Sequence, residues 1–136
     1  MADNVLLNKA AIIERCIQRI QEEYQNNDEN LANFTKQDSI ILNLERACEA
    51  AVDIASRIIR LKKLGIPQDS RQAFEILEQA KIISTDLALK MKHMVGFRNI
   101  AVHDYQGLNL EIIKSILKQH LSDLSDLANI AIHWAS

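Results

Sequence analysis

Three side chains within one short string have the types and spacing that chemistry needs. Arg98, His103 and Tyr105 fall in Val95-Gly96-Phe97-Arg98-Asn99-Ile100-Ala101-Val102-His103-Asp104-Tyr105. A guanidinium is permanently charged and forked, which suits it to phosphate oxygens. An imidazole exchanges protons near neutral pH. Cleaving RNA without a metal requires taking a proton from a 2′-hydroxyl and giving one to the leaving 5′-oxygen. It also requires neutralising the added negative charge on the pentacoordinate phosphorus, and an Arg/His pair covers all three tasks. The same residues admit a purely structural reading, in which Arg98 pairs with a buried Asp or Glu and His103 hydrogen-bonds at a helix end. Spacing alone does not separate the two.

The element that must position these residues is a helix. Upstream, Leu87, Met91 and Met94 repeat with helical spacing, and the same four-three alternation continues onto Arg98, Ala101 and Tyr105. A cation therefore fills a slot reserved for a core side chain, which is costly unless an anion meets it. At about 100° per residue, Arg98 and His103 point roughly 140° apart, whereas Arg98 and Tyr105 share a face. One straight helix cannot aim both the guanidinium and the imidazole at one small substrate atom. Either the helix ends near Val102 or a second copy of the chain completes the site. Gly96 costs about 0.8–1 kcal/mol relative to alanine inside a helix. It shares a face with Asn99, Ile100 and His103, which predicts a close helix-to-helix approach beside the imidazole.

The whole chain supports helices. Its 136 residues are 48% apolar, with three glycines, one proline and 4% aromatics. That is enough for one domain, residues 1–136, with a real core, and too few turn residues and aromatics for a β-rich protein. We expect an all-α antiparallel bundle of four long helices plus one short one. The first helix spans about Asp3–Gln25, with Leu6, Ala10, Ile13, Ile17, Ile20 and Tyr24 inward. A polar loop follows over Asn26–Asn33. The second starts near Thr35 as cap and carries Ile40, Leu44, Ala47, Ala51, Ile54, Ile58 and Leu61, with Ile41, Cys48, Val52, Ala55 and Ile59 widening the apolar face, so it should be central. Gly65 and Pro67 end it. The short helix runs from about Asp69 to Ala80, with Ala73, Phe74, Leu77 and Ala80 inward. Ser84 caps the fourth, which carries the motif until Gly107 breaks the chain. Asn109 caps the fifth, whose seam is Leu110, Ile113, Leu117, Leu121, Leu124, Ala128 and Ala131.

Several chemistries drop out. A net charge of −2 gives no global pull toward nucleic acid or membrane, so any RNA contact must be local. Cys16 and Cys48 lack CxxC spacing and lie in apolar seams, which argues against a disulfide framework, a zinc site or a cysteine nucleophile. His93, His103, His120 and His133 show no metal-ligand pairing, so we expect neither a metal nor another cofactor. No GxSxG and no glycine-rich phosphate loop occur. The absence of a leading apolar run and of any membrane-length apolar stretch predicts a cytoplasmic protein. Lys90, Lys92 and His93 precede the motif, where they line either an RNA groove or an ordinary solvated face.

Arg98 through Tyr105 reads R-x4-H-x-Y, flanked by FRN and HDY. With Met94-Val95-Gly96-Phe97 before it, the Ala47-Cys48-Glu49-Ala50 segment, the Gly65-Ile66-Pro67 break and the Ala73-Phe74-Glu75-Ile76-Leu77 stretch, the chain resembles the HepT-like toxins of the HEPN superfamily over most of its length. That resemblance implies a helical homodimer whose motif helices meet in a cleft and form a metal-independent endoribonuclease site. It makes Arg98 and His103 catalytic and Tyr105 the motif tyrosine, with Asn99 and Asp104 as supporting or RNA-contacting residues. It further implies a toxin–antitoxin system, of type II or of the AMP-transfer type VII. The partner would be a minimal nucleotidyltransferase (MNT) antitoxin able to attach AMP to Tyr105, and the substrate a tRNA or an mRNA. The competing expectation is a non-catalytic HEPN module that pairs with a nucleotidyltransferase and uses Arg98 to hold a phosphate without cleavage.

Overall fold

Apolar side chains repeating every three or four residues close into helices only when their stripes can be buried against one another. The computed structural model describes residues 2–136 and contains six α-helices and, among the described residues, no strand. They are α1 (Asn4–Tyr24), α2 (Phe34–Lys62), α3 (Ser70–Gln79), α4 (Thr85–His103), α5 (Leu110–Gln119) and α6 (Leu121–Ala135). Short 3₁₀ turns, Asp28–Ala32 and Tyr105–Gly107, fill two of the connections. The α1 seam, Leu6 to Tyr24, is buried throughout, as is the α2 seam from Ile40 to Ile58. α2 touches α1, α3, α4 and α6, which makes it the central helix that its wide apolar face predicts.

Side chains set most of the helix starts. Asp3, Asn33, Asp69, Ser84 and Asn109 each accept a backbone N–H from the first turn, at 2.8–3.2 Å. The cap of α2 is thus Asn33 rather than Thr35. Its far end also differs from expectation. Lys63 adopts the left-handed conformation (φ 54°), and Leu64 N–H returns to the Ile59 carbonyl at 3.0 Å, so the helix stops before Gly65. Asp3 also ties the two ends of the chain to the core: its carboxylate takes a forked pair from Arg57 (2.8 and 3.1 Å), and its N–H reaches the Ala135 carbonyl at 2.8 Å.

The predicted long fifth helix is instead two, α5 and α6, turning at His120. Neither glycine nor proline marks the break. Polar contacts accompany it: His120 Nδ1 sits 2.9 Å from Asp123, a buried carboxylate that also faces Lys90 of α4. Leu110, Leu61 and Ala80, expected inward, lie at helix ends and are exposed.

The short α3 is held by three buried side chains, Ala73, Phe74 and Leu77. Phe74→Ala is expected to destabilise the fold by about 3–5 kcal/mol, the usual cost of emptying a buried aromatic site. Urea unfolding of the two proteins measures it, and a loss below about 1 kcal/mol would contradict the packing described.

Candidate active site

Arg98 sits on the seam of α4, and its side chain is only 16% exposed. It turns toward α2 and α3 and satisfies every edge of its fork. Nη1 forms an ion pair with Glu49 of α2. Nη2 donates to Ser70 Oγ at the start of α3 (3.3 Å) and to Asn99 Oδ1 (2.9 Å), which Nε also reaches at 3.2 Å. The charge in the core slot is therefore met by an anion, as its burial requires. That anion is not buried, however: the Glu49 side chain is 49% exposed, so one partner of the guanidinium stands at the surface and can be exchanged. Asn99 braces the arginine with its carbonyl oxygen.

His103 is the last residue of α4, exposed, and its ring makes no hydrogen bond among the described residues. Because it is still helical, the divergence from Arg98 stands: the helix does not end early enough to swing the imidazole round. Asp104 closes α4 through its N–H to the Ile100 carbonyl (2.8 Å), and its carboxylate caps the next turn by accepting Gly107 N–H at 3.2 Å. A Cβ on residue 107 would lie 2.8 Å from the Asp104 Cγ, so any larger residue there would push the capping carboxylate aside. Tyr105, seven residues beyond Arg98, donates its hydroxyl to Asp38 of α2. Glu49 meets Arg98 while the earlier Asp38 meets the later Tyr105, so α2 and α4 run antiparallel past one another.

Glu49 and Asp38 are the site residues that sequence reasoning missed. Their signal is present in hindsight: Asp38, Leu42, Glu45 and Glu49 repeat by four and three beside the apolar seam of α2. An acidic stripe next to a core seam is where an arginine on a neighbouring seam can find its partner. Conversely, Lys90 pairs with Asp86 (3.0 Å) and Asp123 (3.5 Å), and Lys92 with Glu75 (3.3 Å), so these cations serve the fold and leave His93 as the free group of that trio. The outward face of α4 is a stripe of Leu89, His93, Gly96, Ile100 and His103, with both large apolar members exposed. At Gly96, what comes close within one chain is the Arg71 guanidinium of α3, which would lie 3.0 Å from an added Cβ.

Both cysteines are free and buried, and burial raises each thiol, Cys48 to about 12. Among the described residues, no cluster of three His, Cys, Asp or Glu side chains could hold a metal ion, and no helix is long and apolar enough to cross a membrane.

The chain's two tyrosines each donate to a carboxylate, Tyr24 to Asp28 and Tyr105 to Asp38. Burial and then the accepting carboxylate push each phenol up to about 12. A raised value means that the fold favours the neutral phenol. The stabilisation is therefore complete below the ordinary phenol value of about 10 and is lost as pH climbs from there toward about 12. Phenolate absorbance of the folded chain should show no midpoint near 10, and Asp38→Asn should lower the midpoint of one phenol while leaving the other. A wild-type titration with either phenol ionising near 10 would contradict this geometry.

Comparison with known proteins places this arrangement. The family model described as "Ribonuclease HepT-like" matches residues 13–130. The mRNA nuclease HepT of Shewanella oneidensis is 48% identical over 128 residues, covering 94% of this chain and 96% of that protein. A solved structure of a tri-AMPylated Shewanella oneidensis HEPN toxin in complex with MNT antitoxin superposes with a TM-score of 0.88 at 47% identity, covering 94% of this chain and 96% of that one. A toxin–antitoxin structure with AMP-PNP gives 0.89 at 46% identity, covering 95% and 98%. A helical bundle with R-x4-H-x-Y closing its fourth helix, matched over nearly its whole length by such relatives, belongs to the HepT-like family of the HEPN superfamily.

Proposed function

We propose that this chain is a metal-independent endoribonuclease toxin, silenced by an MNT-type antitoxin that attaches AMP to Tyr105. One observation carries the reading. A single helix end holds a braced, half-exchangeable guanidinium and an unengaged imidazole, in a chain 48% identical to an mRNA nuclease.

The chemistry follows from those two groups. The 2′-oxygen of the substrate attacks the adjacent phosphorus as its proton is removed, and the bond to the 5′-oxygen breaks as that oxygen takes a proton. His103 carries out proton transfer, since imidazole serves as acid or base near neutral pH. Arg98 draws the phosphate oxygens and offsets the charge that builds in the transition state. Glu49 holds that guanidinium in the free protein. An incoming phosphate replaces the exposed carboxylate, while Ser70 and Asn99 keep the fork oriented. Arg98 and His103 supply the proton transfer and charge neutralisation from side chains alone, which is the basis for proposing that no metal takes part.

The site belongs to two chains. Arg98 and His103 leave α4 in directions roughly 140° apart, so the guanidinium of one protomer works with the imidazole of its partner. The relative's substrate class makes mRNA the first choice, and an mRNA substrate places the pair in the cytoplasm. Asp104 supports the site by fixing the turn that presents Tyr105. AMP on Tyr105 adds bulk and negative charge two residues from His103 and on the face of Arg98, where it competes with the RNA phosphate.

His103→Ala and Arg98→Ala should each lower RNA cleavage by at least about 100-fold while the dimer stays folded, and excess EDTA should leave the wild-type rate unchanged. Cleavage undiminished in His103→Ala would remove the imidazole from the mechanism. Loss of activity in EDTA would overturn metal independence. RNA binding by the wild-type chain without any cleavage would instead favour a non-catalytic phosphate-holding module.

A further inference from the structure

The proposed silencing leaves one group unassigned: whatever takes the proton from the Tyr105 hydroxyl when AMP is attached. Near neutral pH the phenol is fully protonated, since it ionises only at about 12. A phenol that attacks phosphorus must shed its proton as the bond forms, and a positioned base within hydrogen-bond reach speeds such a step.

The fold brings one candidate to that oxygen. Asp38 and Tyr105 lie 67 residues apart in sequence, yet the Tyr105 hydroxyl donates to Asp38 Oδ1. Both side chains are exposed, so the phenol oxygen and its acceptor are open to a bound nucleotide. The chain's other tyrosine–aspartate pair shows what a structural version looks like. Tyr24 is buried, and Asp28 is neutralised through its second oxygen by Lys118 at 3.0 Å. Asp38 has no cation partner among the described residues. The ionisable neighbours of Tyr105 in sequence are otherwise placed: Asp104 is turned to Gly107 N–H, and His103 lies at the end of α4 with no bond to the phenol.

We propose that Asp38 is the catalytic base for nucleotide transfer to Tyr105, supplied by the toxin rather than by the enzyme that modifies it. The phenol oxygen attacks the α-phosphorus of a nucleoside triphosphate held by the antitoxin. The O–H proton passes to Asp38 Oδ1, and the freed pair forms the new O–P bond. The bridging bond to the β-phosphate breaks, and pyrophosphate departs with its electron pair. The carboxylic acid then returns its proton to water. Before the step, the same hydrogen bond aims the phenol outward from the turn.

This inference rests on Tyr105 being the AMP acceptor, and the experiment keeps the two apart. Full-length toxin is incubated with purified MNT-type antitoxin and ATP, and intact-mass spectrometry follows each added AMP. In Asp38→Asn the amide oxygen still accepts from the phenol, so aim is kept and the base is lost. The first addition should slow by roughly 100- to 10,000-fold. Its rate should then climb about tenfold per pH unit above neutrality, tracking phenoxide, while the wild-type rate does not. Asp38→Glu should restore most of the rate. An AMP added to a nucleotide already in place, rather than to the phenol, should keep its wild-type rate in every variant. An unchanged first addition in Asp38→Asn, or a slowed one whose pH profile matches the wild type, would overturn the assignment and leave Tyr105 as acceptor. Wild-type toxin that gains no AMP on Tyr105 would sink the underlying reading itself.

Discussion

A charged side chain in an apolar seam is the constraint around which this fold is arranged. Arg98 occupies the position that would otherwise hold another leucine or methionine in α4, and its burial is tolerable only because three elements supply polar partners. Glu49 comes from the central helix, Ser70 from the start of α3, and Asn99 from α4 itself. Losing Glu49 while keeping the arginine would leave a largely buried cation unpaired, the costly half of a broken ion pair. The network therefore fixes both the packing of α2, α3 and α4 and the direction of the guanidinium. A phosphate that arrives at this group meets a fork already oriented, which is how preorganised charge lowers a barrier without rearrangement.

The central helix serves the site twice. Asp38 and Glu49 are eleven residues apart on α2, close to the same face and about 16 Å apart along its axis. One takes the hydroxyl of Tyr105 and the other takes the guanidinium of Arg98. Two carboxylates on one helix thus anchor the group proposed to act on RNA and the group proposed to be modified. Any change that shifts α2 relative to α4 disturbs activity and its silencing together. By contrast, the His103 ring has no such anchor among the described residues, which leaves it available to the partner chain that the proposed function invokes.

Much of this was legible in the residues. The four-three alternations of α1, α2 and α4 gave the helices, because a buried stripe has only one period that closes it. Arg98 announced itself by interrupting such a stripe. What stayed hidden depended on partners distant in sequence. Glu49 lies 49 residues before Arg98 and Asp38 lies 67 before Tyr105, and no local pattern pairs them. The break between α5 and α6 was invisible because neither glycine nor proline marks it, and the contacts of His120 and Lys90 with the buried Asp123 that accompany it include a partner from α4, distant in sequence. The end of α2 misled because a lysine, not the nearby glycine, took the left-handed position. The divergence of Arg98 and His103 needed only helical geometry, and the structure keeps it by holding His103 within α4.

That divergence is the most direct place to test the account. Mixed dimers joining one Arg98→Ala protomer to one His103→Ala protomer separate the possibilities, because each chain alone lacks one group. If guanidinium and imidazole come from different chains, the mixed dimer contains one intact site, and RNA cleavage should return to about half the wild-type rate while both parent dimers stay inactive. A mixed dimer as inactive as its parents would contradict a site that takes its guanidinium from one chain and its imidazole from the other.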